Sequence, residues 1–211
     1  MVRIDPPPPQ RPPSPSIYTL ATGTEIVRIF NTDRGTTALT FRYFGPLSRF
    51  DHHRVNPTNK PANDPERGIY YAAFDLQNCL VEVFGDTGII NVKSKDWYVA
   101  IPNLTRDLQL LDLRGSGAMK AGSVAALAKV ADRTFSQEWS RYFYENEDIY
   151  TKIDGLIYFN AHNDAEALAL YERASDGLSC NNSQIIRLDN DLLRPLIREA
   201  AASNNMIVIP Y

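Results

Sequence analysis

The sequence predicts an α+β fold, with a mixed β-sheet core and flanking helices, on three observations. Strand-like runs outnumber helical ones. Their order along the chain is irregular rather than a strict βαβα alternation. Neither an internal repeat nor a glycine-rich phosphate loop interrupts them.

The elements follow in order. Residues 5–16 hold seven prolines, which fix φ and remove backbone donors, so residues 1–20 read as an extended, polyproline-II-like tail. Residues 21–211 read as a single domain, since 211 residues with 44% hydrophobic content bury a sizeable core. Short β-branched and aromatic runs bounded by Gly, Pro, Asp or Asn predict strands. They fall at Ile26–Phe30, Gly68–Phe74, Trp97–Ile101, Leu108–Asp112, Leu156–Phe159, Ala167–Tyr171, Ile185–Leu188 and Met206–Ile209. Helical spacing appears in "DLQNCLVEVFG", with Asp75 as N-cap and Leu76, Cys79, Leu80 and Val83 on one face. It appears again in the alanine-rich "GAMKAGSVAALAKVAD". "TFSQEWSRYFYEN" opens on Thr134 with Gln137 three residues on, a capping-box spacing. "RPLIREAAAS" places Pro195 in a first turn.

Charge and composition exclude several functions. Twenty-two Lys+Arg against 25 Asp+Glu leave −3, with no basic run fit for nucleic acid or a membrane surface. No apolar run reaches membrane-span length, and the N-terminus lacks the apolar core of a signal peptide. Two cysteines, Cys79 and Cys180, make neither a disulfide framework nor a zinc site, which suits a reducing cytoplasm. The oligomeric state stays open, a homo-oligomer included.

The chemistry concentrates in a long loop between strand-like runs, carrying Arg42, Tyr43, Arg49, His52, His53 and Arg54. A loop of this length in a small domain is functional or disordered. Guanidinium forks suit phosphate oxygens, so the loop is either a pocket for a small anion or a basic patch paired with Asp51, Asp64 and Glu66. His52 and His53 are adjacent and point apart in extended chain. With His162 as the other histidine, no metal site is expected. Glu82 falls at the edge of an apolar helix stripe, where a carboxylate is seldom buried without a partner. It either pairs with a loop arginine or stabilises positive charge developing at a sugar carbon. In "GIYYAA" one of Tyr70 and Tyr71 faces the core and the other a cleft. Asn160, His162 and Asn163 end a strand, as pocket-lining or turn residues. Ser140 has no His/Asp partner at a telling spacing and is not read as a nucleophile.

In this order, "FRYFGP", "SRFDHH", "GIYYAA", "NCLVEVF" and "DGLIYFNAHNDAEALALYERA" resemble the RES domain, a family found in bacterial toxin–antitoxin pairs. The resemblance runs from about Phe41 to Ala174. "IYxA" followed by a helix ending in "VE" is its strongest portion. Many members read "DG(I/L)xYxS" where this chain has "DGLIYFN", which puts Asn160 at the serine position, while Ser140 after Trp139 resembles the "WS" of some members.

The resemblance implies an ADP-ribosyltransferase-like fold and a toxin that consumes NAD+, breaking the nicotinamide–ribose bond with water or inorganic phosphate as acceptor. NAD+ is then a substrate, with no prosthetic group, and an antitoxin protein is the expected partner. Carried over by motif, Arg42 and Arg49 hold the pyrophosphate or ribose, Tyr43 and Tyr70 pack on the nicotinamide or its ribose, and Glu82 is the family's glutamate. Glu82, Arg49 and Tyr70 form the implied catalytic set, and Arg42, Tyr43, His52, His53, Ser140 and Asn160 the implied binding set. Two alternatives remain: ADP-ribose transfer to a protein, and a degenerate module that binds a nucleotide or a protein without turnover.

Overall fold

The computed structural model describes residues 2–33, 35–58 and 60–209. Its strands, in chain order, are β1 (Ile17–Leu20), β2 (Arg28–Asn31), β3 (Phe44–Gly45), β4 (Ala62–Asn63), β5 (Ile69–Ala73), β6 (Ile89–Ile90) and β7 (Trp97–Ala100). They continue with β8 (Asn103–Leu104), β9 (Leu108–Asp112), β10 (Gly155–Phe159), β11 (Glu166–Tyr171), β12 (Leu178–Ser179), β13 (Ile185–Arg187) and β14 (Ile207–Val208). The α-helices are α1 (Leu76–Phe84), α2 (Ser116–Lys120), α3 (Arg133–Glu145), α4 (Glu147–Tyr150) and α5 (Arg194–Ser203).

The main sheet runs β1-β9-β10-β11-β5. Only its β9–β10 pair is parallel, so the sheet is mixed and the fold is α+β. A smaller antiparallel sheet, β13-β7-β2, joins it through a bridge between Val27 and Ala73.

Both faces of the main sheet are covered, and side-chain alternation sorts its residues between two cores. Ala167, Ala169 and Tyr171 of β11 face α3 and α4 with Leu156 and Tyr158 of β10. Leu168 and Leu170 face the opposite way with Ile157 and Tyr70. A third core lies between the smaller sheet, α1 and α5.

Local sequence explains most boundaries. Asp75 caps α1 by accepting the Asn78 N–H at 2.8 Å, and the helix stops at Gly85. On α1 the buried arc includes Val81 while Val83 is 38% exposed, because the helix packs against α5 as well as the sheets. Asp132, rather than Thr134, caps α3 by accepting the Thr134 N–H, and Gln137 instead donates to the Ser48 carbonyl. Asp132 wins because its carboxylate reaches an orphan amide of the first turn directly. The alanine-rich stretch breaks into α2 and a 3-10 turn at Ala125–Ala128. The break falls at Gly122, whose φ of +88° suits glycine and whose missing Cβ leaves the space that Pro9 fills.

That contact shows where the proline-rich segment lies. It straps the domain, with the Trp139 indole donating to the Asp5 carbonyl at 2.9 Å and the Ser14 amide to the Lys120 carbonyl at 2.8 Å. The strap ends at Ser16, short of Leu20, because Ile17–Leu20 pairs with β9 as an edge strand of the main sheet. Among the described residues no helix is long and apolar enough to cross a membrane.

Leu168 sits fully buried on β11, between two paired strands. Leu168→Ala should cost about 2–5 kcal/mol, read as a lower urea midpoint at unchanged m; a loss under about 1 kcal/mol would contradict this account of the core.

Candidate functional site

One buried carboxylate organises the site. Asp51 is 0% exposed. It accepts from the Arg42 guanidinium at 2.8 Å, from the Tyr71 hydroxyl at 2.9 Å, and from the Leu47 and Ser48 amides at 2.6 and 2.9 Å. The two amides fold residues 47–51 into a tight turn around the carboxylate. The Tyr71 hydroxyl also accepts the Phe50 amide at 3.0 Å, which ties the turn to β5.

The turn carries Arg49 toward α1. Arg49 donates to the Val130 carbonyl, and its charge acts on Glu82, as does that of Arg133. Glu82, Tyr71, Tyr158 and Cys79 share a recess of about 70 Å³. Glu82 is exposed on one side, yet the recess walls on the other take enough water from its carboxyl to raise its pKa above the ordinary value. His162, Arg49 and Arg133 oppose the rise, and Asp86 adds to it. Among the described residues no side chain hydrogen-bonds Glu82 or forms an ion pair with it, so the structural salt bridge weighed for this residue is not formed. Burial, and next the negative charge of Asp51, hold the Tyr71 phenol protonated well above its usual range.

Ile29 and Tyr71 also line a larger cleft of about 850 Å³, within the range of about 300–1,000 Å³ usual for ligand sites. Its walls include Arg28, Arg42, Tyr43, Lys95 and Trp97. The basic loop therefore splits. Arg42 pairs with Asp51, and Arg54 with Asp64 and Glu66, while Arg49 faces Glu82.

Several residues expected in the site lie elsewhere. Tyr70 is 0% exposed on the opposite face of β5, its hydroxyl donating to the Ala38 carbonyl at 2.9 Å. Strand alternation gives the cleft position to Tyr71. His52 and His53 are also fully buried. His52 Nε2 meets Glu172 at 2.9 Å between the rings of Tyr144 and Tyr171. His53 Nε2 meets the Arg42 carbonyl at 3.2 Å, its ring filling the space a Cβ on Gly45 would need. Both histidines brace the loop from behind and do not face the cleft. Ser140 is buried, donating to the Phe50 carbonyl at 2.7 Å and 3.0 Å from the Tyr171 hydroxyl. Asn160 closes a turn, accepting from the His162 and Asn163 amides at 3.0 and 2.9 Å. Tyr43 lines the cleft, its ring close over Gly68.

Residues absent from the expected set are Asp51 as organiser, Tyr71, Tyr158 and Arg28. The signal for Arg28 was a lone charge inside the apolar run "IVRIF". For Asp51 the local signal was incomplete, since besides the Leu47 and Ser48 amides of its own turn its donors are Arg42, nine residues before it, and Tyr71, twenty residues after it.

Residues 25–191 match the family model described as RES domain. A crystal structure of the M. tuberculosis MbcT-MbcA toxin-antitoxin complex aligns with a TM-score of 0.54 at 18% identity, covering 87% of this chain and 92% of that chain, a likeness of fold. A search of the curated proteins finds no match.

The buried histidines set a pH dependence. Burial lowers the pKa of both, opposed at His52 by Glu172 and at His53 by Asp51. In the folded state they stay neutral where the unfolded chain, with a histidine pKa of about 6.5, takes up protons. Stability should therefore fall as pH drops below about 6.5, by up to about 1.4 kcal/mol per pH unit for each histidine. Urea unfolding at pH 7.5, 6.5 and 5.5 checks the sign; a midpoint that rises toward acid would overturn it.

Proposed function

This chain belongs to the RES domain family, and from that premise we propose that it is an NAD+-degrading enzyme, the toxin of a toxin–antitoxin pair. The observation that carries the reading is the Glu82 carboxylate. It is partly dehydrated, unpaired, and set in a recess with Tyr71 and Tyr158 beside a cleft large enough for a dinucleotide.

In the proposed reaction the bond between ribose C1′ and the pyridinium nitrogen breaks. Its electron pair goes to the nitrogen, which leaves as neutral nicotinamide, and positive charge develops on the ribose. An ionised Glu82 stabilises that charge, and it acts more strongly in a recess poor in water than in bulk solvent. Water, or inorganic phosphate, then bonds to C1′, the water losing a proton. Tyr71, held by Asp51, offers a flat wall for the ribose or nicotinamide. Arg49 favours the ionised form of Glu82 through Coulomb attraction, against the effect of burial.

The test is proton NMR of the protein with NAD+, with and without inorganic phosphate. Free nicotinamide should appear, with ADP-ribose in water and a phosphorylated sugar when phosphate is the acceptor. Intact NAD+ at high enzyme concentration rejects the reading, and label transferred to protein replaces it with ADP-ribosylation. Glu82→Gln should lower turnover by roughly 10²–10³-fold with the thermal midpoint retained. On the acid side, activity should fall as Glu82 takes up its proton, at a pH above the usual carboxylate value of about 4.3.

A further inference from the structure

We infer that the proline-rich strap is a positioning element of the site, holding through α3 the turn that carries Arg49, an assignment that deepens the reading above and rests on it. The strap lies outside the part of the chain that carries the family likeness.

α3 stands between the strap and that turn. Three of its side chains, Arg133, Gln137 and Ser140, follow one another at helical spacing and donate to carbonyls on both sides of Arg49. Arg133 donates to Leu47 at 3.0 Å, Gln137 to Ser48 at 3.0 Å and Ser140 to Phe50 at 2.7 Å. The turn therefore takes its place from α3. Trp139, the neighbour of Ser140, gives its indole N–H to the Asp5 carbonyl at 2.9 Å, and Ile4 packs on the core that holds Trp139 and Phe143. Strap and turn thus grip the same helix.

A second path reaches the far end of Arg49. Pro9 fills the space at Gly122, between α2 and the 3-10 turn Ala125–Ala128. The Ala126 carbonyl of that turn accepts the Val130 amide at 3.0 Å, and the Val130 carbonyl accepts from the Arg49 guanidinium. Both the backbone and the head of Arg49 are set by segments that the strap covers. Proline suits the task, because its ring fixes φ before docking and it brings no N–H that the domain would have to satisfy.

Glu82 reports where Arg49 lies. The charged groups that act on it are Arg49 from the turn, Arg133 from α3, His162 from the turn after β10 and Asp86 beyond the end of α1. Tyr71, Tyr158 and Cys79 share its recess, each held protonated by burial. Moving the Arg49 cation away removes a charge that favours the carboxylate, so Glu82 then takes up its proton at higher pH.

Carbon-detected NMR titration of the Glu82 carboxyl, assigned by its absence in E82Q, tests this in the full chain without requiring turnover. R49Q should titrate at higher pH than the wild type. P9G and I4A, which loosen the strap, should shift the titration the same way by less, and should lose most of that shift in the R49Q background. L168A, weakened in a different core, should titrate as the wild type does. An unshifted R49Q, unshifted strap variants, a strap shift that persists in full without Arg49, or the same shift in L168A overturns the assignment. Should P9G fail to fold, I4A decides by itself. In turnover of NAD+, the acid limb of the activity profile should move to higher pH in P9G and I4A. The Arg49-dependent titration in a protein that cleaves no NAD+ keeps the role of the strap and removes the NAD+ reading. Cleavage with one acid limb shared by the wild type and both strap variants keeps that reading and removes the role of the strap.

Discussion

The buried Asp51 carboxylate is the interaction on which the site depends. A carboxylate at 0% exposure is tolerated only when donors surround it. Here they come from the loop itself, from Arg42 ahead of it and from Tyr71 on β5. Satisfying one group therefore fixes three things at once: the turn that carries Arg49, the orientation of Tyr71, and the rotamer of Arg42. Removing it would leave a guanidinium, a phenol and two amides seeking partners in a protein interior.

Behind that turn a second polar layer repeats the principle. His52 meets Glu172, which also accepts the Tyr144 hydroxyl and the Gly68 amide. As a neutral ring, His52 donates through Nε2 and leaves Nδ1 without a partner. A loop of this length would ordinarily be mobile. Two carboxylate centres, the buried Asp51 and the half-buried Glu172, hold this one against α3 and the start of β5.

The positive charges around the cleft are chemically alike in sequence and unlike in place. Arg42 and Arg54 are neutralised by acids of the loop region, Arg49 acts on Glu82, and Arg28 lines the larger cleft with no ion-pair partner among the described residues. This division leaves one arginine beside the Glu82 recess and another in the wall of the larger cleft.

What the sequence determined by itself was local. Leu108–Asp112 was read as a strand with the bounds it has, and Asp75 caps α1 as its spacing implied, because both depend on side-chain periodicity and on hydrogen bonds spanning three residues. The ordered motifs likewise pointed to the family, and they located Glu82 on a helix. Tertiary structure decided the rest. "GIYYAA" required one tyrosine on each face without saying which, and the choice of Tyr71 for the cleft came from where β11 and α3 lie. Ile17–Leu20 looked like part of a tail because an edge strand is specified by its partner, here β9 about 90 residues away. His52, His53, Ser140 and Asn160 looked like ligand-binding groups because their side chains can serve either role. Only the packing of distant segments around them turned their hydrogen bonds inward.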